Sequence, residues 1–192
     1  MEREILLTGV GGQGVQLAAR VLGGAALYEG REVMLLGTYG GTMRGGSTAS
    51  TLIVADAPIE TPPVVAHAWS ALAMHHQFFG PVLCKLRPGA VVMVNAGVFA
   101  EEAATVSGPS WVRVPAARLA AELGAPLAAS LVLAGAFAAA TRLVSLDALL
   151  AALAETLPPY RRQHLDVDSR ALETGYAASP AGVALAWEVP VR

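Results

Sequence analysis

A glycine-rich turn between two apolar segments constrains the fold of this chain more than any other feature of its sequence. The run Glu4 to Thr8 is aliphatic, as in a buried strand, and Gly12 to Glu29 then carries apolar residues at helical spacing. Gly30 stands where a glycine often ends a helix, and a second aliphatic run, Glu32 to Leu36, follows it. This order of strand, turn, helix and strand predicts a right-handed βαβ unit and hence an α/β fold.

The segments that follow predict a mixed sheet. Only about ten residues join the second strand to the β-rich segment Thr48 to Ala55, too few for a helical crossover, so we expect this third strand to run antiparallel. Further strands are predicted over Ala68 to Met74, Ala90 to Asn95 and Trp111 to Val114. Helices are predicted over His75 to Leu86, Ala116 to Leu123, Leu127 to Thr141, Leu146 to Leu157 and Asp166 to Ala178. We therefore expect a three-layer, Rossmann-like α/β/α architecture with a mostly parallel, mixed sheet, formed by a single domain over residues 1–192.

Composition excludes several classes of protein. Of the 192 residues, 54% are hydrophobic and 15% are charged, so apolar surface is left over and we expect partners to cover it. A formal net charge of −2, with no basic cluster, excludes the electrostatic signature of nucleic-acid binding. The longest apolar run, Leu127 to Thr141, is shorter than a membrane helix needs, and no secretion signal is visible. The single cysteine, Cys84, excludes an internal disulfide and favours a reducing compartment, by default the cytoplasm.

The first candidate site is the glycine turn itself, Gly9-Val-Gly-Gly-Gln-Gly14, which has the GxGxxG spacing of a dinucleotide fingerprint. Free amides at the start of a helix form an anion-binding end, and glycines let a ligand approach the backbone. A NAD site also needs an acid at the end of the second strand, and Leu35 to Tyr39 contains none. Two interpretations of the pattern stay open. The turn binds another phosphate or anion, or it is a purely structural or partner-facing turn. The candidate binding residues are Gly9, Gly11, Gly12, Gln13 and Gly14.

The second candidate site is the loop from Tyr39 to Ser47, which holds four glycines and one arginine. In a doubly wound sheet this loop leaves the carboxyl end of the second strand beside the first glycine turn, where such folds bind ligands. Arg44 offers a planar guanidinium fork to a carboxylate or phosphate, and the alternative is a pair with a surface carboxylate. The candidate binding residues of this loop are Tyr39, Arg44, Gly45 and Gly46.

Four other residues carry weaker signals. His75 and His76 are adjacent, so a helix would point them to different sides, and we expect surface or interface residues rather than metal ligands. Cys84 lies in an apolar segment and is interpreted as a packed thiol rather than a nucleophile. Asn95 ends a strand, where it either reaches the ligand crevice or caps the chain.

The two glycine-rich segments and their flanking strands resemble a known family. The resemblance is carried by Gly9-Val-Gly-Gly-Gln-Gly-Val15 with Leu17-Ala-Ala-Arg-Val-Leu22, by Tyr39-Gly with Arg44-Gly-Gly46, by the strand that closes in Asp56-Ala-Pro-Ile59, and by the segment Arg87-Pro-Gly-Ala-Val-Val-Met-Val-Asn95. These motifs resemble the gamma subunit, or gamma domain, of the 2-oxoacid:ferredoxin oxidoreductases, which act on pyruvate, 2-ketoisovalerate, 2-oxoglutarate or indolepyruvate. The second half of the chain matches in layout, with Ser130 where family members tend to have asparagine.

The resemblance implies a component of an enzyme that decarboxylates a 2-oxoacid on thiamine diphosphate, reduces ferredoxin through iron–sulfur clusters and transfers the acyl group to coenzyme A. It implies that this chain holds none of these cofactors alone. Thiamine diphosphate, Mg²⁺ and the clusters would lie on alpha, beta and ferredoxin-like delta subunits, and the isolated chain would be inactive, with a homodimer as one of its states. Arg44 and the start of the first helix would be available to coenzyme A.

Two alternatives belong to other classes of protein. One is a stand-alone NADP-binding oxidoreductase or sensor domain with Arg44 near the 2′-phosphate, and the other is an assembly scaffold.

Overall fold

The structure is a computed structural model that describes residues 1–40, 45–60, 62–99, 108–180 and 182–187. Within these residues six strands form one sheet: β1 (Glu2–Val10), β2 (Glu32–Tyr39), β3 (Ser47–Ala55), β4 (Ala68–Ala73), β5 (Leu86–Asn95) and β6 (Ser110–Val114). The same residues form six α-helices: α1 (Val15–Tyr28), α2 (Gly80–Leu83), α3 (Ala116–Glu122), α4 (Ala129–Thr141), α5 (Leu146–Thr156) and α6 (Leu165–Ala178).

The sheet is mixed, and its strand order is β2-β3-β1-β4-β5-β6. β3 runs antiparallel to both β1 and β2, whereas β1, β4, β5 and β6 pair in parallel. The predicted antiparallel direction of the third strand is thus confirmed, and so is the α/β fold class. β3 also lies between β1 and β2, so the predicted βαβ unit spans one intervening strand.

A larger hydrophobic cluster covers one face of the sheet, and a smaller one covers the other. Ile5 and Leu7 of β1 pack into the larger core cluster, together with residues of α1 and of α3 to α6. Leu6 points to the opposite face, where a smaller cluster contains Phe79 and is covered by α2. The chain therefore leaves the parallel neighbours β1 and β4 toward opposite faces, and such a switch point opens a crevice at the carboxyl ends of the strands.

α4 is the central helix of the larger core. All 13 of its residues are buried, which confirms the predicted buried core helix from Ala129 onward. Leu127 instead lies in a 3₁₀ turn, Pro126–Ala128, and is exposed. α6 crosses α4 at Gly135 and Gly175, where an added Cβ would overlap the carbonyl groups of Leu172 and Val132. Glycine at these positions lets the two backbones touch, which a larger residue would prevent.

Most of the predicted elements are confirmed, and two segments differ. His75 to Leu86 was expected to be one short helix, but a 3₁₀ turn over His76–Phe78 is followed by the four-residue α2. Pro81 lacks the amide that a continuous helix would need there, so the helix begins again at Gly80. A later 3₁₀ turn, Pro159–His164, has no counterpart among the predictions. In the described part of the chain, the helices are all too short or too polar to cross a membrane.

Candidate functional site

The two glycine-rich segments meet at the carboxyl edge of the sheet. The amide of Gly11 donates a hydrogen bond to the carbonyl of Gly46 at 2.8 Å. Val10 and Ser47 form the last pair of the β1–β3 ladder, and the amide of Gly40 donates to the carbonyl of Ser47 at 2.9 Å. The antiparallel pairing of β1 with β3 causes this arrangement, because the end of β1 then meets the start of β3. The two segments therefore present one continuous backbone surface.

The first turn leaves backbone amides unused at the start of α1. Gly14 is the N-cap residue of α1, adopts a left-handed conformation with φ of 78°, and supplies no side-chain cap. Gly12 has φ of 102°, and an added Cβ would find no atom within 4 Å. Within the described residues, the amides of Gly12 and Gly14 donate to no acceptor. This end of a 14-residue helix carries the partial positive charge that favours an anion.

Two glutamines hold the turn in place, and sequence analysis found only one of them. The side-chain oxygen of Gln13 accepts from the amide of Val10 at 2.8 Å, so Gln13 closes its own turn. Gln16 was missed: its Nε2 donates to the carbonyl of Ala49 at 2.7 Å, and its Oε1 accepts from Ser50 Oγ at 2.8 Å. Gln16 thereby fastens α1 to β3. The sequence signal for Gln16 was a side-chain amide among apolar residues on the side of α1 that faces the sheet.

A cleft opens beside the first glycine turn. Its larger portion is a cavity of about 590 Å³, and its smaller portion is a cavity of about 440 Å³. Both portions are lined by Gly12, Gly14, Leu17, Tyr160 and Arg161. Arg20 adds a second guanidinium to the larger portion and His164 an imidazole to the smaller portion, and no described Asp or Glu lines either. The cleft is therefore suited to an anionic ligand.

The remaining predicted binding residues take different positions. Gly9 lies behind the turn, where an added Cβ would come within 2.9 Å of the Met74 Cβ. The backbone of Tyr39 ends β2 opposite Thr48. Gly45 is exposed, and an added Cβ would meet no atom there within 4 Å. Arg44 lies outside the described residues.

The paired histidines follow the carboxyl end of β4. Their rings stack at 4.5 Å between centroids, so the expectation that they point to different sides is wrong. His75 is extended and precedes the 3₁₀ turn rather than lying inside a helix, which brings the two rings together. Burial lowers the pKa of His75, and the neighbouring His76 lowers it further.

The surroundings of Cys84 and Asn95 decide between the roles that the sequence allowed for them. Cys84 is exposed, so its interpretation as a packed thiol is wrong: the apolar segment that contains it points Phe79, not the thiol, into the core. Asn95 is buried, and its Oδ1 accepts from the amide of Ala117 at 3.0 Å. Asn95 therefore caps the start of α3 and does not reach the ligand crevice.

Two buried polar groups near the cleft have no hydrogen-bond partner among the described residues. Ser130 Oγ lies against Gly14, so closely that an added Cβ there would overlap it. Asp168, on α6, has one unpartnered oxygen. Burial raises the pKa of Asp168, and the positive charges of Arg161 and His164 oppose that rise.

The donor groups of the described residues do not fit a metal, and the single thiol of the sequence does not fit an iron–sulfur cluster. The sequence has one cysteine, and a cluster needs several thiolates. In the ranges that the structure describes, no three His, Cys, Asp or Glu side chains converge as metal ligands would. The fold and the paired turns instead define a Rossmann-like α/β protein whose candidate site is a backbone surface beside a cationic cleft.

Comparisons with known proteins identify the family. The model of the pyruvate ferredoxin/flavodoxin oxidoreductase family matches residues 4–178. The 2-oxoglutarate synthase subunit KorC of Methanocaldococcus jannaschii is 30% identical over 160 residues, which cover 82% of this chain and 85% of KorC. The chain therefore belongs to the pyruvate ferredoxin/flavodoxin oxidoreductase family, as a gamma subunit of the 2-oxoacid:ferredoxin oxidoreductase type.

Solved structures share the fold. The gamma subunit of the keto/oxoacid ferredoxin oxidoreductase from Geobacter sulfurreducens PCA superposes with a TM-score of 0.75 at 23% identity, covering 92% of this chain and 98% of that one. The 2-oxoglutarate:ferredoxin oxidoreductase from Magnetococcus marinus, solved with 2-oxoglutarate, coenzyme A and succinyl-CoA bound, superposes with a TM-score of 0.80 at 18% identity. That match covers 95% of this chain and 33% of the Magnetococcus chain.

Proposed function

We propose that this chain uses its two glycine-rich turns to close the coenzyme A and substrate site of a multi-subunit 2-oxoacid:ferredoxin oxidoreductase. The complex oxidatively decarboxylates a 2-oxoacid to acyl-CoA and reduces ferredoxin. Thiamine diphosphate, Mg²⁺ and the iron–sulfur clusters lie on alpha, beta and ferredoxin-like delta partner subunits, and this chain alone is inactive. Its single cysteine is consistent with the cytoplasm.

One observation carries the proposal: the hydrogen bond from Gly11 to Gly46, which joins two turns that lie 35 positions apart in the sequence into one surface. Next to it, Gly12 is open on its outer side, and its amide donates to no acceptor in the described part of the chain. A backbone surface without side chains lets a phosphate, a carboxylate or a partner's main chain approach closely. Such a surface can orient a ligand, but it supplies no acid, base or nucleophile.

Exposed apolar side chains around the site support the docking of partner subunits. Leu127 and Tyr160 line the smaller portion of the cleft and are 77% and 78% exposed. Large apolar side chains grouped around a polar site are typical of surfaces that a partner covers.

The choice of coenzyme A as the ligand has two supports. The free amides at the start of α1 favour a phosphate, and the cleft beside them is lined by cations. The Magnetococcus enzyme, which shares this fold, has coenzyme A bound. We propose that Arg44, which the sequence places in the second glycine-rich segment, also contacts a coenzyme A phosphate or the substrate carboxylate.

The topology disfavours the NADP-binding alternative. A dinucleotide fold places its second strand directly beside the first, so that the end of the second strand reaches the ribose. Here β3 separates β1 from β2, and the end of β2 lies about 10 Å from β1, twice the usual strand spacing. We expect calorimetry of the purified chain with NAD and NADP to register no binding.

The test compares two glycine substitutions in the reconstituted complex. Gly12→Ala adds a methyl group to the proposed ligand surface, whereas Gly30→Ala adds one at the far end of α1, and both glycines have positive φ and open space around them. We expect Gly12→Ala to raise the KM for coenzyme A about tenfold or more and Gly30→Ala to leave it unchanged, with similar losses of stability of about 1 kcal/mol.

Equal kinetics for the two variants would contradict the proposed site. Arg44→Ala, assayed in the same complex, tests the contact of Arg44, and unchanged kinetics with coenzyme A and 2-oxoacid would remove Arg44 from the site.

A further inference from the structure

The strand β2 lies at one edge of the sheet, and among the described residues it has a strand partner on one side only, namely β3. At the centre of β2, Leu35 and Leu36 are 37% and 44% exposed. We propose that this edge binds the same strand of a second copy of this chain in antiparallel orientation. The two sheets would then join across a twofold axis.

The edge of β2 lacks the features that usually protect an edge strand. Exposed edges are commonly protected by a lysine or a proline, by a bulge, or by a very short strand. The eight residues of β2, Glu-Val-Met-Leu-Leu-Gly-Thr-Tyr, include neither lysine nor proline. Their register with β3 runs unbroken from Glu32 to Tyr39. A long and regular edge of this kind can accept a further strand through its backbone amides and carbonyls.

Apolar side chains lie on both faces of β2. Val33 packs against the larger core cluster, so the alternation of side chains along a strand places Leu35 on the same face. Met34 and Leu36 lie on the opposite face for the same reason. A strand added at this edge would cover both exposed leucines and remove their apolar surface from water.

The charge pattern of β2 favours a second copy in antiparallel orientation. Glu32 is the one charged residue of this strand and stands at its first position. A parallel copy in register would place two Glu32 carboxylates opposite each other, and like charges directly opposite destabilise a strand pair. An antiparallel copy separates the two carboxylates to opposite ends of the pair. β3 pairs with β2 in antiparallel orientation as well, so the added strand continues the pattern of this side of the sheet.

Symmetry and side-chain matching select the register of the proposed pair. Directly opposite residues point to the same face, so a twofold axis between the strands passes beside one residue that faces its own copy. With the axis at Leu35, the two Leu35 side chains face each other, and Met34 faces Leu36 of the second copy. Glu32 then faces the neutral Thr38. An axis at Leu36 would instead place Met34 opposite Thr38, which matches apolar surface less well.

Sedimentation of the purified chain tests this pairing through the charge at the axis. Leu35→Lys places two ammonium groups opposite each other, Leu35→Glu places two carboxylates there, and an equal mixture of the two variants places one of each. Leu127→Lys is the matched control. It makes the same change at a leucine that is 77% exposed on a different surface, the 3₁₀ turn before α4.

We expect the unsubstituted chain and Leu127→Lys to sediment as dimers at micromolar concentration. Leu35→Lys and Leu35→Glu should each raise the dissociation constant of the dimer about a hundredfold. Their mixture should recover dimerisation to within about tenfold of the unsubstituted chain, because a lysine then faces a glutamate.

Cross-linking provides a second measurement that adds no charge to the strand. The exposed thiol of Cys84 is first removed by Cys84→Ser. In that background, Leu35→Cys should form a covalent dimer with a short thiol-to-thiol cross-linker, and Leu127→Cys should not. Circular dichroism shows whether each variant is folded, and cross-linking decides the outcome if the charged variants are not.

Several results would overturn the proposal. If the unsubstituted chain is monomeric and Leu35→Lys blocks its assembly with the other subunits of the complex, the edge binds a strand of another subunit. A monomeric chain whose assembly is unaffected would show that the edge binds no strand. Dimers that Leu35→Lys leaves intact would form through a different surface. If the mixture of Leu35→Lys and Leu35→Glu stays monomeric and Leu35→Cys does not cross-link, Leu35 does not face its own copy.

Discussion

Glycines occupy two very different regions of this molecule. At the crossing of α4 and α6, added Cβ atoms on Gly135 and Gly175 would overlap the backbone of the facing helix. At the carboxyl edge of the sheet, added Cβ atoms on Gly12 and Gly45 would meet no atom within 4 Å. The first pair is required by the packing of this chain. The open positions favour glycine through their positive φ, 102° at Gly12 and 77° at Gly45, and their outer sides have room for another molecule.

The largest effect that this comparison predicts is on stability. Gly175→Ala forces a methyl group into the carbonyl of Val132, so the α4–α6 contact must separate at the centre of the core. We expect the free energy of unfolding of the purified chain to fall by about 3 kcal/mol or more, against about 1 kcal/mol for Gly30→Ala. Urea denaturation of both variants measures the difference. Equal losses would mean that α4 and α6 adjust freely and that the contrast between the two regions is false.

Sequence patterns found most of the secondary structure because the signals were local. The aliphatic runs, the helical spacing of α1 and the short link into β3 each follow from neighbouring residues, and they predicted a mixed α/β sheet. The glycine turns were also recognised, together with their position beside one another. Their contact confirms that placement, since the Gly11 amide reaches the Gly46 carbonyl.

The features that were missed depend on contacts between distant segments. Gln16 has no local motif, and its role follows from its bonds to β3. The segment 156–161 reads as a helix end followed by prolines, and only the fold brings Arg161 to the first glycine turn. The exposure of Cys84 and the stacking of His75 on His76 likewise depend on where the chain turns after β4. None of these could be derived from spacing alone.

A smaller effect is expected at Asp168, beside the core region. Its pKa in the folded chain is raised by burial, so the folded state binds a proton more tightly there than the unfolded state does. This group therefore lowers stability at neutral pH, and the penalty fades as the pH falls through the folded pKa toward the ordinary value for aspartate. Asp168→Asn removes the charge while keeping the shape.

We expect Asp168→Asn to raise the Tm at pH 7, by about 2–4 °C for each kcal/mol of penalty removed, and to bring a smaller gain near pH 4. Thermal melts of the purified chain at both pH values provide the measurement. A lower Tm at pH 7 would show instead that Arg161 and His164 hold the carboxylate in a stabilising ionic contact.

The central claim is that the open glycine turns receive coenzyme A, and hydrogen exchange of their amides tests it most directly. In the reconstituted complex, exchange is measured for the peptide that covers residues 11–17, with and without coenzyme A, and for a control peptide that covers residues 27–31. The structure leaves the Gly12 and Gly14 amides without acceptors in the described chain, so we predict that coenzyme A slows exchange in the first peptide and not in the control. Unchanged exchange over residues 11–17 at saturating coenzyme A would contradict the account.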